Sequence, residues 1–153
     1  MISKNKYDYI ICGGGISGLL LSHALISDNF FDEKKVLLIE KDNKVNNDKT
    51  LSFWDNKKNI LDKIVDKRWE NAEFRDTKFS NSFNLSPYKC KMVRSDRFYS
   101  FMKRKINKAS NFEYLNATVK NISNDKDSNV VETSEGNFDC SIVFSSIYEP
   151  AKY

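Results

Sequence analysis

The stretch Tyr7-Asp8-Tyr9-Ile10-Ile11-Cys12-Gly13-Gly14-Gly15-Ile16-Ser17-Gly18 decides the fold, because an apolar run stops at spaced glycines and resumes as a helical sequence. Residues 9–12 have the composition of a short strand buried on both faces. Gly13 suits the tight turn leaving that strand, Gly15 lets the backbone come within contact distance of a phosphate, and Gly18 lets the new helix pack closely on the sheet. A helix opening at Ile16 presents unpaired N–H groups and the positive end of its macrodipole. Gly13, Gly14, Gly15, Ile16, Ser17 and Gly18 together therefore read as a seat for a dinucleotide pyrophosphate.

The flanks extend the pattern. Leu19, Leu20, Leu21, Ala24, Leu25 and Ile26 make an apolar helix that stops near Asp28 and Asn29. A second apolar run, residues 36–39, ends in Glu40, about twenty residues past the glycines as the dinucleotide fingerprint requires. A carboxylate there accepts both ribose hydroxyls of an adenosine and repels a 2'-phosphate, which favours FAD or NAD over NADP. Lys41 follows it at the same end of the strand.

The 153 residues suit one domain, and 40% hydrophobic with 30% charged residues suits a well-solvated surface. No apolar run approaches the ~20 residues that span a bilayer, and residues 10–12 are too brief for the core of a secretory signal, so the expected compartment is the cytoplasm. Cys12, Cys90 and Cys140 form no CxxC pair and read as small apolar residues rather than a disulfide or zinc site. The single histidine, His23, excludes most His-based metal sites and any conventional Ser/His/Asp triad; it reads as a helix-surface residue. The net charge of +4 is spread along the chain and argues for no nucleic-acid partner. Two denser basic stretches, Lys89, Lys91, Arg94 and Arg97, then Lys103, Arg104 and Lys105, either meet phosphates or an anionic membrane surface, or form a solvated face.

Residues 42–50 read as a polar, Asn-rich loop, which makes the bulky Leu51, Phe53 and Trp54 after it look out of place on a surface. Asn59 caps a short helix carrying Ile60, Leu61, Ile64 and Val65. Trp69, Phe74, Phe79, Phe83 and Leu85 recur among polar residues as extended segments that Pro87 closes. Residues 89–93 form another strand, and Ser95 is the expected N-cap of an amphipathic helix whose Phe98, Phe101, Met102, Ile106 and Ala109 would cover a sheet face. Beyond it, extended runs at 112–115, 117–122, 130–133 and 138–145, with turns at 125–129 and 134–137, indicate an antiparallel meander feeding a final buried strand, 141–144. The fold class is thus α/β: a Rossmann-like FAD-binding domain of the glutathione-reductase type, with a parallel sheet and an antiparallel β-meander. Residues 42–93 form an insertion after the second strand that would contribute to a substrate domain, itself expected to be largely missing from residues 1–153. The meander and the insertion raise FAD above NAD by fold analogy.

Three further segments carry a family resemblance: Asn47-Asp48-Lys49-Thr50-Leu51-Ser52-Phe53-Trp54; Tyr88 followed by Met92-Val93-Arg94-Ser95-Asp96-Arg97-Phe98-Tyr99; and Ile142-Val143-Phe144-Ser145-Ser146. With the glycine fingerprint and Leu37-Leu38-Ile39-Glu40, they resemble the N-terminal part of the bacterial lycopene cyclase family, which reads N/D-x-T-W-x-F in the loop and I-R-S-x-x-F-Y at the helix start. Leu51 departs from the family's usual Trp, which bears on substrate fit. The resemblance implies cyclisation of linear lycopene without net redox change. An acid protonates the end group, the carbocation closes to a ring and a proton leaves, with a reduced FAD stabilising the cation and NADPH as its reductant. It implies Glu40 and Lys41 at the adenosine, and Arg94 approaching a flavin phosphate or ribityl chain, unless Arg94 is only a surface arginine. Thr50 and Trp54 are implied near the flavin or substrate, unless they only pack the loop. The carotene's lipid solubility implies peripheral membrane contact. Family members are more than twice this length and their protonating acids lie beyond Tyr153, so no catalytic residue is assigned here and the chain is expected to be a fragment. The alternatives are another FAD-dependent oxidoreductase, of the hydroxylase or geranylgeranyl reductase type, and a non-catalytic dinucleotide-binding module.

Overall fold

The computed structural model describes residues 6–125 and 128–147. The elements run β1 (Lys6–Cys12), α1 (Ile16–Ile26), β2 (Val36–Glu40), β3 (Thr50–Asp55), β4 (Lys67–Trp69), β5 (Asn71–Asp76), β6 (Phe79–Asn84), β7 (Lys89–Arg94), α2 (Ser95–Ile106), β8 (Phe112–Asn116), β9 (Val119–Asp125), β10 (Ser128–Thr133) and β11 (Gly136–Ser145). They fall into two compact units: the described residues up to Asn43 with those from Met102 onward, and Lys44–Phe101.

The first unit is a six-stranded sheet ordered β8-β2-β1-β11-β10-β9. Strands β8, β2, β1 and β11 are parallel, while β10 pairs antiparallel with both β11 and β9. Strand alternation gives β1 and β2 two apolar faces. Ile10, Cys12, Leu37 and Ile39 join Val131 and Cys140 in one core cluster. Ile11 and Leu38 stand side by side on the opposite face, where α1 packs so closely that a methyl group on Gly18 would lie 3.4 Å from the Ile11 side chain.

β11 does two jobs at once. Its first half, from Gly136 to Cys140, closes the meander against β10, and from Asp139 to Ser145 it runs parallel to β1. The expected buried strand at 141–144 is therefore central in hydrogen bonding but not in burial: Ile142 is 45% exposed and Phe144 37%. By register Ile142 lies beside Tyr9 and Phe144 beside Ile11, on the face that carries α1, and the Phe144 ring stacks on Tyr9 with centroids 6.2 Å apart. The turn expected at 125–129 falls partly outside the described residues.

The second unit holds a three-stranded antiparallel sheet, β3-β7-β4, and the separate hairpin β5-β6. The Leu51–Trp54 segment is thus strand rather than loop surface, and its alternating burial explains the bulky residues: Leu51 and Phe53 turn inward, Trp54 outward. Asn59 caps a 3-10 turn over Ile60–Lys63, with its side chain accepting from the Leu61 amide at 2.8 Å and Asp62 returning the bond to the Asn59 amide at 2.8 Å. The hairpin is amphipathic. Ala72, Phe74, Phe79 and Phe83 share one face by register, whereas Glu73, Arg75 and Ser80 bond one another on the other.

Ser95, expected as a helix cap, is instead the first residue of α2, and its hydroxyl ties down the preceding loop. It donates to Asp48 at 2.8 Å and accepts the Lys49 amide at 3.0 Å. Phe98, Met102 and Ile106 are buried as their helical spacing requires, and Tyr99 joins them.

Candidate functional site

The glycine turn connects β1 to α1 in three residues. Gly13 has φ +108°, a conformation that side chains rarely adopt. Its amide donates to the Ile39 carbonyl at 2.8 Å, and a Cβ there would overlap the Ser146 hydroxyl. At Gly18 a Cβ would overlap the Gly13 carbonyl oxygen, so this glycine holds the helix against the turn itself as well as against the sheet. Gly15 differs in kind: a Cβ there would meet nothing within 4 Å. The space beside it is open to an incoming group.

Gly15 is also the N-cap of α1, and no side chain caps the helix. The Leu19 amide is the first to bond back into the turn, reaching the Gly15 carbonyl at 3.0 Å. The N–H groups of Ile16, Ser17 and Gly18 precede it, and no acidic side chain occupies the first turn. An anion placed at Gly15 would meet unsatisfied donors and the positive helix end, the arrangement that dinucleotide phosphates require.

Glu40, at the end of β2, is only 8% exposed. One carboxylate oxygen accepts the Gly14 amide at 2.6 Å and the other accepts the Asp42 amide at 2.9 Å. A Cβ on Gly14 would come within 2.8 Å of the Glu40 Cβ, so the missing side chain makes this approach possible. Lys41 is exposed on the same strand end. Tyr114 stands nearby on β8, its hydroxyl pushed up to about 12 by burial and then by the Glu40 and Asp42 charges.

Ser146 escaped the reading of individual residues. Its amide donates to the Cys12 carbonyl at 2.9 Å and its hydroxyl to the same oxygen at 3.3 Å, which pins the end of β11 beside Gly13. A cavity of about 370 Å³ opens there, walled by Ser17 and Gly18 on one side and by Ser145 and Ser146 on the other. The available signal was two serines directly after an apolar run.

In the second unit the register brings the remaining candidates together. Thr50 pairs with Arg94, Ser52 with Met92 and Trp54 with Cys90, and on the other side of β7 Trp69 also pairs with Cys90. Thr50, Trp54 and Arg94 therefore share the outer face of one sheet, with Trp54 58% and Trp69 42% exposed. Asn47 accepts the Ser95 amide at 3.1 Å, so residues 47–52 run hydrogen-bonded beside residues 92–95.

The basic stretch around Arg94 is ion-paired within the chain. Arg94 reaches Asp96 at 3.2 Å, Arg97 reaches Asp66 at 2.8 Å and Lys89 pairs with Glu70. Lys91 is 4% exposed, bonded to Asp62 at 2.9 Å and to the Lys57 carbonyl at 3.0 Å. Period-2 alternation turns Lys91 inward, and only paired carboxylates make a buried ammonium tolerable.

The three thiols form no disulfide. Burial pushes Cys12 up to about 12 and Cys140 to about 11, as befits small core residues. His23 lies on α1 beside Ser27, its imidazole held below its ordinary value by burial and then by the Lys105 charge. Among the described residues no His, Cys, Asp or Glu cluster could hold a metal, and no helix is long and apolar enough to cross a membrane.

Comparison with known proteins fits this geometry. The sequence model of a family described as lycopene cyclase protein matches residues 8–151. The chain belongs to the lycopene cyclase family.

Its fold is shared with flavoenzymes of low sequence similarity. This lycopene cyclase family chain superposes on p-nitrophenol 4-monooxygenase PnpA of Pseudomonas putida with a TM-score of 0.70 at 16% identity, covering 92% of the chain and 40% of PnpA. For PqsL of Pseudomonas aeruginosa, described as a probable FAD-dependent monooxygenase, the score is 0.68 at 16% identity, covering 91% and 42%. UDP-galactopyranose mutase of Mycoplasma pneumoniae is 46% identical over 44 residues, 29% of this chain and 10% of the mutase. The lycopene cyclase family chain thus spans about two fifths of the length of the two solved structures and matches a tenth of the mutase. These likenesses establish an α/β fold with a Rossmann-like domain, the class expected from the glycine fingerprint.

Proposed function

We propose that the chain seats the adenosine end of FAD, and that the protein carrying it cyclises a linear carotene such as lycopene without net redox change. The observation that carries this reading is the register of β3 on β7. It puts Thr50, Trp54 and Arg94, drawn from the two family-like segments, on one sheet face.

The residues of the glycine turn fit the cofactor. The open space at Gly15 accepts the pyrophosphate, with the amides of Ile16, Ser17 and Gly18 as donors. The Glu40 carboxylate orders the turn through Gly14, and as an acceptor-only group it suits the ribose hydroxyls. Lys41, beside it, adds positive charge at the adenosine end; in the second unit, Arg94 with Thr50 offers polar groups to a ligand of that sheet face. When bound, a reduced flavin would supply negative charge that stabilises a carbocation without taking a hydride. The exposed Trp54 and Trp69 rings offer the flat apolar surface that an extended polyene packs on, and their π-faces favour a nearby cation. No carboxylate among the described residues is assigned as the proton donor.

Calorimetric titration with FAD, ADP and NAD tests the seat: FAD and ADP should bind, and indifference to all three would remove the dinucleotide reading. Expression of the gene in cells that accumulate lycopene tests the chemistry. Cyclised carotene is expected, and unchanged lycopene beside flavin-loaded protein would count against it. A second reading, another FAD-dependent oxidoreductase, draws support from the solved monooxygenases that share the fold. Substrate-stimulated NADPH oxidation would favour it over the cyclase. A non-catalytic dinucleotide-binding module would bind FAD or ADP and show neither activity.

A further inference from the structure

A further charged feature belongs to the Lys44–Phe101 unit. Lys44–Phe101 carries 13 Lys and Arg against 8 Asp and Glu, a net charge of +5, while the rest of the chain has 12 against 13 and is net −1. The excess converges on a cavity of about 580 Å³ within this unit, whose wall includes Lys57, Lys58, Lys63, Arg68, Lys89 and Lys91. By strand alternation Lys91 and Arg68 project from the face of the β3-β7-β4 sheet opposite Trp54, Trp69 and Arg94. The cavity is therefore not the surface assigned to flavin or substrate.

The only two acids in its wall, Asp55 and Asp62, are already engaged. Asp62 receives Lys91, the Asn59 amide and Arg68 at 3.1 Å; Asp55 receives the Lys57 amide at 2.8 Å, the Asn59 side chain and Lys91. Lys89 is held by Glu70. What remains are Lys57, Lys58 and Lys63, three ammonium groups for which the described residues provide no acidic partner. Three like charges on one concave wall repel each other unless an anion joins them, and concavity concentrates the field. The volume lies in the range of small-molecule sites.

We propose that this cavity is an anion site that takes a phosphate or diphosphate group, with Lys57, Lys58 and Lys63 as its direct partners and the Lys91–Asp55–Asp62 cluster as the rigid floor that spaces them. The ligand is either a soluble phosphorylated molecule or the headgroup of an anionic lipid.

Amide chemical shifts of the 15N-labelled chain, saturated with ADP and titrated with inorganic diphosphate at low ionic strength, read the site directly. Shifts centred on residues 56–63 are expected, weakening with added salt, and Lys57→Gln/Lys58→Gln/Lys63→Gln should lower the affinity by about tenfold or more, since three ion pairs are lost at once. Diphosphate that leaves residues 56–63 unmoved, or that binds the triple variant as tightly, would overturn the proposal if vesicles also fail to distinguish the two proteins. In that second arm the chain is sedimented with phosphatidylcholine vesicles with and without phosphatidic acid. Binding to the acidic vesicles alone, lost in the triple variant, identifies a headgroup; diphosphate binding without vesicle binding identifies a soluble ligand. Failure of ADP to bind would leave the cavity result standing, because its shifts arise from different residues.

Discussion

The Gly14 amide and the Glu40 carboxylate meet at 2.6 Å, so the glycine turn and the acid that ends β2 are one hydrogen-bonded unit. Bonds between an N–H and an ionised acceptor are the stronger kind, and this one is buried. Replacing Glu40 by Ala leaves the Gly14 and Asp42 amides without their acceptor. A loss of about 1–3 kcal/mol in urea unfolding is expected. ADP affinity should fall as well, by about tenfold. Glu40→Gln keeps one oxygen and should fall between the two. An Ala variant with wild-type stability would show that the bond is not formed in solution.

Gly15 and Gly18 should separate binding from folding. Gly15→Ala meets open space and should cost less than about 1 kcal/mol of stability while weakening ADP binding severely, because its methyl group occupies the phosphate approach. Gly18→Ala drives a methyl group into the Gly13 carbonyl and should cost about 1–3 kcal/mol. Thermal unfolding paired with ADP calorimetry decides this, and equal effects of the two substitutions on both readouts would contradict it.

Acid stability should report on Asp62. The Asn59 amide, then the Lys91 ammonium, hold its carboxyl down to about 2 in the folded protein, against an ordinary 3.8. A depressed folded value stabilises above the unfolded one, so the contribution is whole above about pH 4 and is lost as pH falls toward 2. Lys91→Met should reduce this pH dependence between pH 4 and 2, and destabilise by roughly 2 kcal/mol at neutral pH by leaving two carboxylates facing an apolar group. Parallel urea titrations of the two proteins across that range supply the comparison.

Thiol labelling offers a simple check on packing. A disulfide reagent at pH 8 should modify half-buried Cys90 in the native protein, whereas Cys12 and Cys140, buried and shifted well above that pH, should react only on unfolding. Rapid modification of all three in the native state would contradict the core described here.

The parts of the fold set by local rules were legible in the sequence. Gly13 to Gly18, the apolar run ending in Glu40, the capped turn at Asn59 and the period of α2 each carry their own signal, and the structure follows them. Lys91 shows the limit: nothing in the sequence distinguishes it from Lys89, and only the register against β3 turns it inward to Asp55 and Asp62. The same holds for Glu40, whose partner Gly14 is 26 residues away, and for Ile142 and Phe144, whose apolar run suggested burial although hydrogen bonding alone makes their strand central. Pairings between distant segments were the missing information. They also decide which of the site candidates are neighbours: Thr50 and Arg94 are opposite one another only because β7 returns beside β3.

The double role of β11 also dictates a folding order. β1 lies in the middle of the parallel strands, yet its partner on one side begins at Gly136, and the Ser146-to-Cys12 bond closes a loop of 134 residues. Such pairings bear the full entropy of loop closure before they return any contact, which slows folding. On the ribosome β1, with the glycine turn at its end, must wait with one edge unpaired until the meander has emerged. The glycine turn is thus made well before β11 and is among the last parts of the sheet to be completed.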